Sequence, residues 1–163
     1  MKVLKFGGTS VANATHIKKV LEIISSYSDH IVVVVSAFSG VTDTLLKIGQ
    51  LASEGNESYK DLLDELEKKH LNAVKELISV QKQSHALSHI RRELNMLETL
   101  FEGTFLLNEL SPKTEDIISG YGELLSSYII GESAKAMGLD VVTKDTRELI
   151  QTTHQYGKKV VDF

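Results

Sequence analysis

An α/β layered architecture with a mostly parallel sheet is predicted by three features of this 163-residue sequence. The first is "HIVVVVS", His30 to Ser36, an uninterrupted β-branched run of the kind found in strands covered on both faces, as in parallel sheets. The second is the alternation of short apolar runs with segments of helical period, giving the order β-α-β-α. The third is a pair of long amphipathic stripes in the middle of the chain, with no strand pattern between them.

Met1 to Phe6 reads as a short strand with Val3, Leu4 and Phe6 apolar, broken by Gly7-Gly8-Thr9-Ser10. From Ala12 to about Tyr27, Ile17, Val20, Leu21 and Ile24 recur at helical spacing. The valine-rich strand follows, and Ser39-Gly40 ends it. Val41 to Ala52 is helical, with Leu45, Ile48 and Leu51 along one side, and "ASEGNES" makes a loop. Tyr59, Leu62, Leu63, Leu66, His70, Val74, Leu77 and Ile78 form one stripe, and Ile90, Leu94, Leu97, Leu100 and Phe101 form another. Glu65, Glu67, Lys68 and Lys69 occupy the other faces. These stripes predict a helical hairpin over about 57–108, packed on the sheet domain. Pro112 marks a boundary before a helix from about Thr114 to Met137. "GLDVVTKD" predicts a helix end, a strand and a polar turn, and "KKVVDF" one more strand. The crossovers are expected to be right-handed.

Bulk properties narrow the function. The length suits one domain with a substantial core. A formal charge of -4 gives no global basic field, which argues against wholesale nucleic-acid binding and leaves room for a local cationic pocket. The absence of cysteine excludes disulfides, thiolate nucleophiles and Cys-based zinc sites, and fits a reducing compartment. The apolar part of the N-terminus is too short for a signal peptide. The longest apolar run, Ile31 to Val35, is far below membrane-spanning length. A cytoplasmic location without membrane partners is expected.

Three stretches could carry chemistry. In "KFGGTSV", Lys5 to Val11, a strand, a Gly-Gly turn and a helix start make an anion site: peptide N–H groups and the helix dipole point outward, and Lys5 adds a full charge. Neither a Walker loop nor GxGxxG is present. The same residues would also make a tight turn with a surface lysine. In "VVSAFSGVTD", Val34 to Asp43, the polar residues Ser36, Ser39, Thr42 and Asp43 gather past the carboxyl end of a strand, where open α/β sheets bind ligands. The alternative is capping, with Ser39 or Thr42 satisfying the next helix. In "SGYGELLSS", Ser119 to Ser127, Glu123 with Ser126 and Ser127 could receive a substrate ammonium group, or Glu123 could simply be solvated.

Taken in order, these stretches resemble the aspartokinase family of the amino-acid-kinase fold. The resemblance runs through Asp145 and Arg147, and the continuation "KFGGTSVANA" is most similar to bifunctional aspartokinase–homoserine dehydrogenases. It implies a layered αβα amino-acid-kinase-like fold with an inserted hairpin. It also implies ATP-dependent phosphorylation of the L-aspartate side-chain carboxylate, the first step of lysine, threonine and methionine biosynthesis, with Mg2+ accompanying ATP and no magnesium ligand assigned. On this resemblance Lys5, Gly7, Gly8, Thr9 and Ser10 face the nucleotide phosphates, and Lys5 neutralises charge on the group transferred. Ser36 and Thr42 lie in the substrate site, and Glu123 contacts the amino acid. The family's later "GRGGSDY"-like segment, its ACT domains and any dehydrogenase domain do not occur in 1–163. The sequence is therefore expected to be the N-terminal, amino-acid-binding part of a catalytic domain, an incomplete domain with little activity alone. An exposed patch where the other half would dock favours homo-oligomers. Rival expectations are a glutamate, carbamate or nucleotide kinase of the same fold, and a non-catalytic binding or assembly module.

The histidines are assigned no catalysis. His85 and His89 lie one helical turn apart but lack a third ligand. They are read as a solvated face. His70 is read as a packed or edge residue, and His16, His30 and His154 have no partner.

Overall fold

The computed structural model describes residues 1–155 and 158–162, with side chains described for 1–150, 160 and 161. Strand β1 (Lys2–Phe6) leads through helix α1 (Ala14–Ser25) to β2 (Ile31–Val35). Helices α2 (Val41–Ser53), α3 (Tyr59–Leu77), α4 (Gln83–Leu107) and α5 (Pro112–Ala136) follow. A 3-10 turn at Thr146–Glu148 precedes β3 (Gln151–Gln155) and β4 (Lys158–Asp162).

β1 and β2 pair in parallel, while β3 and β4 form a separate antiparallel pair. The predicted order of elements is therefore present, with two differences. "GLDVVTKD" makes no strand: residues 139–145 form no ladder, and a cleft of about 450 Å3 lies between this segment and β2. Val141 and Val142 have the composition of a strand, but a ladder also needs a partner edge within hydrogen-bonding reach. The last predicted strand is β4, and Phe163 lies outside the described residues.

The second difference concerns β2, expected to be covered on both faces. In register, Val3 pairs with Val32 and Lys5 with Val34, so these four share one face. Val3, Val32 and Val34 are 62%, 42% and 41% exposed. Leu4, Phe6, Val33 and Val35 point the other way and are partly buried, with Phe6 and Val35 packed against the core. The helices lie against that second face, and α5 is in contact with β2. The β-branched run thus specified a strand, while its covering depends on what else packs there.

Each helix has a visible cause. Asn13 caps α1, its side chain accepting from the His16 amide at 3.1 Å, and Ile17, Val20 and Leu21 supply the buried stripe. Ser111 caps α5, accepting from the Thr114 amide, with Pro112 in the first turn, where its missing N–H costs nothing. This moves the helix start two residues ahead of the predicted Thr114. The hairpin of α3 and α4 matches the predicted span, but its principal partners are α2 and α5 rather than the sheet. Ile17, Leu45, Ile48, Phe101, Leu125 and Ile129 are fully buried in one continuous core. Each such side chain contributes about 1.5–3 kcal/mol.

The contact of α5 with the chain after β2 is set by Gly122. A Cβ there would stand 2.7 Å from the Ala37 Cβ and 3.2 Å from the Val41 Cγ1. Both neighbours are short and fixed close to backbone, so neither can swing away. Alanine would raise helix propensity by up to about 1 kcal/mol, but overpacking costs about 1–3 kcal/mol. Gly122→Ala is expected to be destabilising on balance, whereas Gly120→Ala, in open space on the same helix, is expected to be neutral or stabilising. Urea midpoints of the two variants check this, and equal effects would refute it.

Candidate functional site

Because β1 and β2 are parallel and in register from Lys2–Ile31 to Phe6–Val35, their carboxyl ends emerge side by side. The Ser36 amide donates to the Phe6 carbonyl at 3.1 Å, extending the ladder by one residue. The two loops that follow, from Gly7 and from Ser36, border a recess of about 310 Å3. Gly8, Thr9, Ser36, Ser39, Thr42 and Asp43 contribute to its lining.

In the first loop the Ser10 and Val11 amides turn back on the Gly7 and Gly8 carbonyls, while the Gly8 and Thr9 amides make no such bond. The glycines serve close approach rather than unusual torsion, since neither has a positive φ. A Cβ on Gly7 would meet nothing within 4 Å, and one on Gly8 would stand 3.3 Å from the Ala37 carbonyl oxygen. The loop therefore keeps a bare peptide surface beside the recess. Helix α1 begins at Ala14, beyond a run of turns, and the Asn13 side chain accepts from one of its first amides, that of His16.

The helix start that borders the recess is that of α2. Its N-cap is Gly40, with φ of 76° and no side-chain hydrogen bond to the helix. Here glycine is required by the left-handed backbone. Ser39 and Thr42 thus do not cap the helix, and the capping alternative is excluded. Their residues line the recess instead, in front of a 13-residue helix whose N-terminus carries partial positive charge. The Thr44 hydroxyl turns back to the Gly40 carbonyl and is spent there.

Four sequence-predicted residues, Lys5, Gly7, Ser10 and Glu123, lie outside this lining. Lys5 is exposed on the open face of the sheet and has no ion-pair partner among the described residues. Ser10 is partly buried in the turn. Glu123 is exposed and does not line the recess, although Gly122 beside it packs directly on Ala37 and Val41. Ser126, predicted to present a polar atom with Glu123, is fully buried and donates its hydroxyl to the Ser36 carbonyl at 2.7 Å. It ties α5 to the end of β2. Ser127 donates to the Leu124 carbonyl within its own helix.

Two further residues act on the second loop and carried no sequence signal beyond their helical positions. Lys69 of α3 donates to the Ser39 carbonyl at 2.8 Å, and burial lowers its pKa. His70 is fully buried and stacks on Phe38, with centroids 5.0 Å apart and planes at 8°. Its Nδ1–H donates to the Leu66 carbonyl at 2.8 Å and its Nε2 has no partner. Burial, opposed by that hydrogen bond and reinforced by the Lys69 charge, pushes its pKa down to about 4.

His85 is exposed, as expected of a solvated face, while His89 is partly buried. The Tyr128 hydroxyl meets His85 Nδ1 at 3.3 Å, and His89 stacks on Tyr128 with centroids 3.7 Å apart. No cluster of three or more potential metal-ligating side chains occurs among the described residues. The His16 ring bonds to Asn13, and the His154 side chain lies outside the described residues. Near the end of the chain, Arg147 forks onto both Asp145 oxygens and holds that carboxyl below its usual range. None of the helices described is long and apolar enough to cross a membrane.

The pattern of the amino acid kinase family matches residues 1–161. The chain belongs to that family. Among curated relatives, it is 31% identical over 149 residues to bifunctional aspartokinase/homoserine dehydrogenase 2 of Arabidopsis thaliana, covering 91% of this chain and 16% of the plant enzyme. It is 32% identical over 151 residues to aspartokinase 1 of the same plant, covering 90% of this chain and 26% of the other. E. coli aspartokinase III, solved in complex with aspartate and ADP, superposes with a TM-score of 0.85 at 26% identity. That match covers 99% of this chain and 35% of the E. coli one. This amino acid kinase family chain therefore spans about a third of a solved aspartokinase and a smaller share of the plant enzymes. The predicted fold class holds, as a mostly helical unit built around a small parallel sheet.

Proposed function

We propose that this chain carries the amino-acid-binding part and the phosphate loop of an ATP-dependent aspartate kinase. The supporting observation is the shared recess at the carboxyl ends of β1 and β2, with a bare Gly-Gly loop on one side and hydroxyls before an uncapped helix on the other. A phosphoryl group suits the first side, where peptide N–H groups and Lys5 supply positive charge. A small carboxylate suits the second, where Ser39, Thr42 and the α2 dipole supply donors. Ser36 and the exposed Glu123 complete the amino-acid side, Glu123 as acceptor for the substrate ammonium. Gly7, Gly8, Thr9 and Ser10 face the nucleotide.

In the reaction, an aspartate side-chain oxygen attacks the γ-phosphorus of ATP, the bond to the β,γ-bridging oxygen breaks, and ADP leaves. The attacking carboxylate is already ionised at neutral pH, so no general base is needed. Positioning and charge neutralisation then carry the rate. The magnesium that accompanies ATP is bound chiefly by its phosphates, with no protein ligand assigned. The similarity to E. coli aspartokinase III in complex with aspartate and ADP supports these two substrates. The chain spans about a third of the E. coli enzyme, and on this reading it is expected alone to bind its ligands without appreciable turnover.

Calorimetric titration of the chain tests this. L-aspartate is expected to bind more tightly than L-glutamate, and Thr42→Val to weaken aspartate about tenfold by removing one hydrogen bond to a charged group. Preference for glutamate would favour another kinase of the fold. No amino-acid binding at all would favour a non-catalytic assembly module.

A further inference from the structure

The loop that forms the hydroxyl side of the recess is held from outside by α3. Lys69 and His70 are consecutive, so on a helix their side chains diverge by about 100°. Here they grip the same loop at two points. His70 lies under the Phe38 ring, which is itself almost fully buried. Lys69 reaches over to the carbonyl of the next residue, Ser39. Between these points, the Val41 amide donates to the Phe38 carbonyl and closes the turn into α2. Gly40, in the left-handed conformation, is the pivot. A glycine pivot without a side-chain cap is intrinsically free, so the direction of the Ser39 and Thr42 residues depends on what fixes its neighbours.

We infer that Lys69 and His70 are positioning residues, through which the hairpin helix α3 fixes the Phe38–Gly40 turn and holds the hydroxyl side of the recess in shape. The inference rests on the functional reading above for the identity of the ligand, but not for the tether itself. It gives the inserted hairpin a role beyond core filling. A histidine in the apolar stripe, with one ring nitrogen unpaired, is a poor choice for packing alone, since burying an unmet polar atom costs stability. A flat ring that matches the Phe38 plane is what the turn needs.

The test is amide hydrogen exchange by NMR on the whole chain, combined with L-aspartate titration. The variants are Lys69→Met, Lys69→Arg, His70→Leu and His70→Phe. Lys69→Met keeps the aliphatic stem and removes the donor. It is expected to speed exchange at Val41 and Thr44, the amides that close the turn, by about threefold to tenfold. The α4 and α5 amides and the thermal midpoint should stay unchanged. Lys69→Arg should restore protection, and His70→Phe should retain what His70→Leu loses. Aspartate affinity should follow the same order.

Unchanged exchange at Val41 and Thr44 in Lys69→Met would overturn the inference. So would faster exchange with unaltered aspartate affinity, because the tether would then hold a turn that does not serve the site. If the wild-type chain binds no aspartate, the functional reading fails instead, and the exchange data alone decide whether α3 fixes the turn.

Discussion

Lys5→Met is expected to weaken binding of ATP by the chain about tenfold to a hundredfold, with no change in thermal midpoint. The separation of the two effects follows from the place of Lys5. Its side chain is exposed on the open face of the sheet and pairs with no carboxylate among the described residues, so folding gains little from its charge. A triphosphate beside the Gly7-Gly8 loop would gain more, since charge-assisted hydrogen bonds are roughly twice as strong as neutral ones. Methionine keeps the length and apolar body of lysine, which isolates the charge. The lost interaction should also show in salt dependence. Wild-type affinity should fall as ionic strength rises, and the Lys5→Met affinity should fall less steeply, because one of the screened charges is gone. In a polypeptide with the rest of the kinase domain, the same change is expected to lower kcat by about a hundredfold to a thousandfold, the range for removing one preorganised charge-stabilising donor. Titration with a fluorescent ATP analogue at two salt concentrations is sufficient. Equal affinities for wild type and variant would mean that Lys5 does not serve the phosphates.

How much of this was legible in the sequence depends on whether a feature is local. The β1-turn-α1-β2-α2 order and the hairpin span were readable from periodicity, because each helix is long and its apolar stripe is regular. That the second loop borders a recess was readable from its place after a strand. Sequence could not decide between capping and binding for Ser39 and Thr42. That choice rests on the Gly40 torsion and on which residue becomes the N-cap, and both are settled by tertiary packing. The exact start of α1 is open in the sequence for a similar reason. "TSVANA" allows a helix to begin near Ala12, but the Asn13 side chain caps it so that it starts at Ala14, accepting from the His16 amide. Periodicity places Lys69 only on a face of α3 away from its apolar stripe. A contact spanning thirty residues leaves no local trace. Ser126 was noticed for its polarity, but its partner is a carbonyl ninety residues earlier, so only the fold reveals that it is a tie rather than a ligand. The exposed valines of β2 carry the same lesson in reverse: composition predicts a strand, whereas coverage is a property of its neighbours.

His70 makes the second large effect a matter of pH. Its folded pKa is about 4, against an ordinary value of 6.5, because burial disfavours the imidazolium. The unfolded chain therefore takes up a proton below about pH 6.5 that the folded chain refuses until about pH 4. Between those values the unfolded state binds more protons, so unfolding free energy must fall as pH falls. The His70 contribution is fully present above pH 6.5 and is lost progressively on acidification, reaching about 3 kcal/mol at pH 4. That is a large part of the stability of an ordinary domain. Asp145 adds its own loss only at lower pH, since Arg147 depresses its pKa below the usual carboxylate value. The window between pH 4.5 and 6.5 therefore lies above the Asp145 titration, and His89, whose pKa burial also lowers, adds to the loss there. Urea unfolding of wild type should show a midpoint that drops steadily through this window. His70→Phe keeps an aromatic ring against Phe38 and has nothing to protonate there, so its midpoint should fall much less steeply over the same range, the remaining slope coming from groups such as His89. The two curves should converge as the pH is lowered if the substitution costs some packing at neutral pH. Parallel slopes in the two proteins would show that another group drives acid unfolding and that the buried imidazole is not what resists protonation.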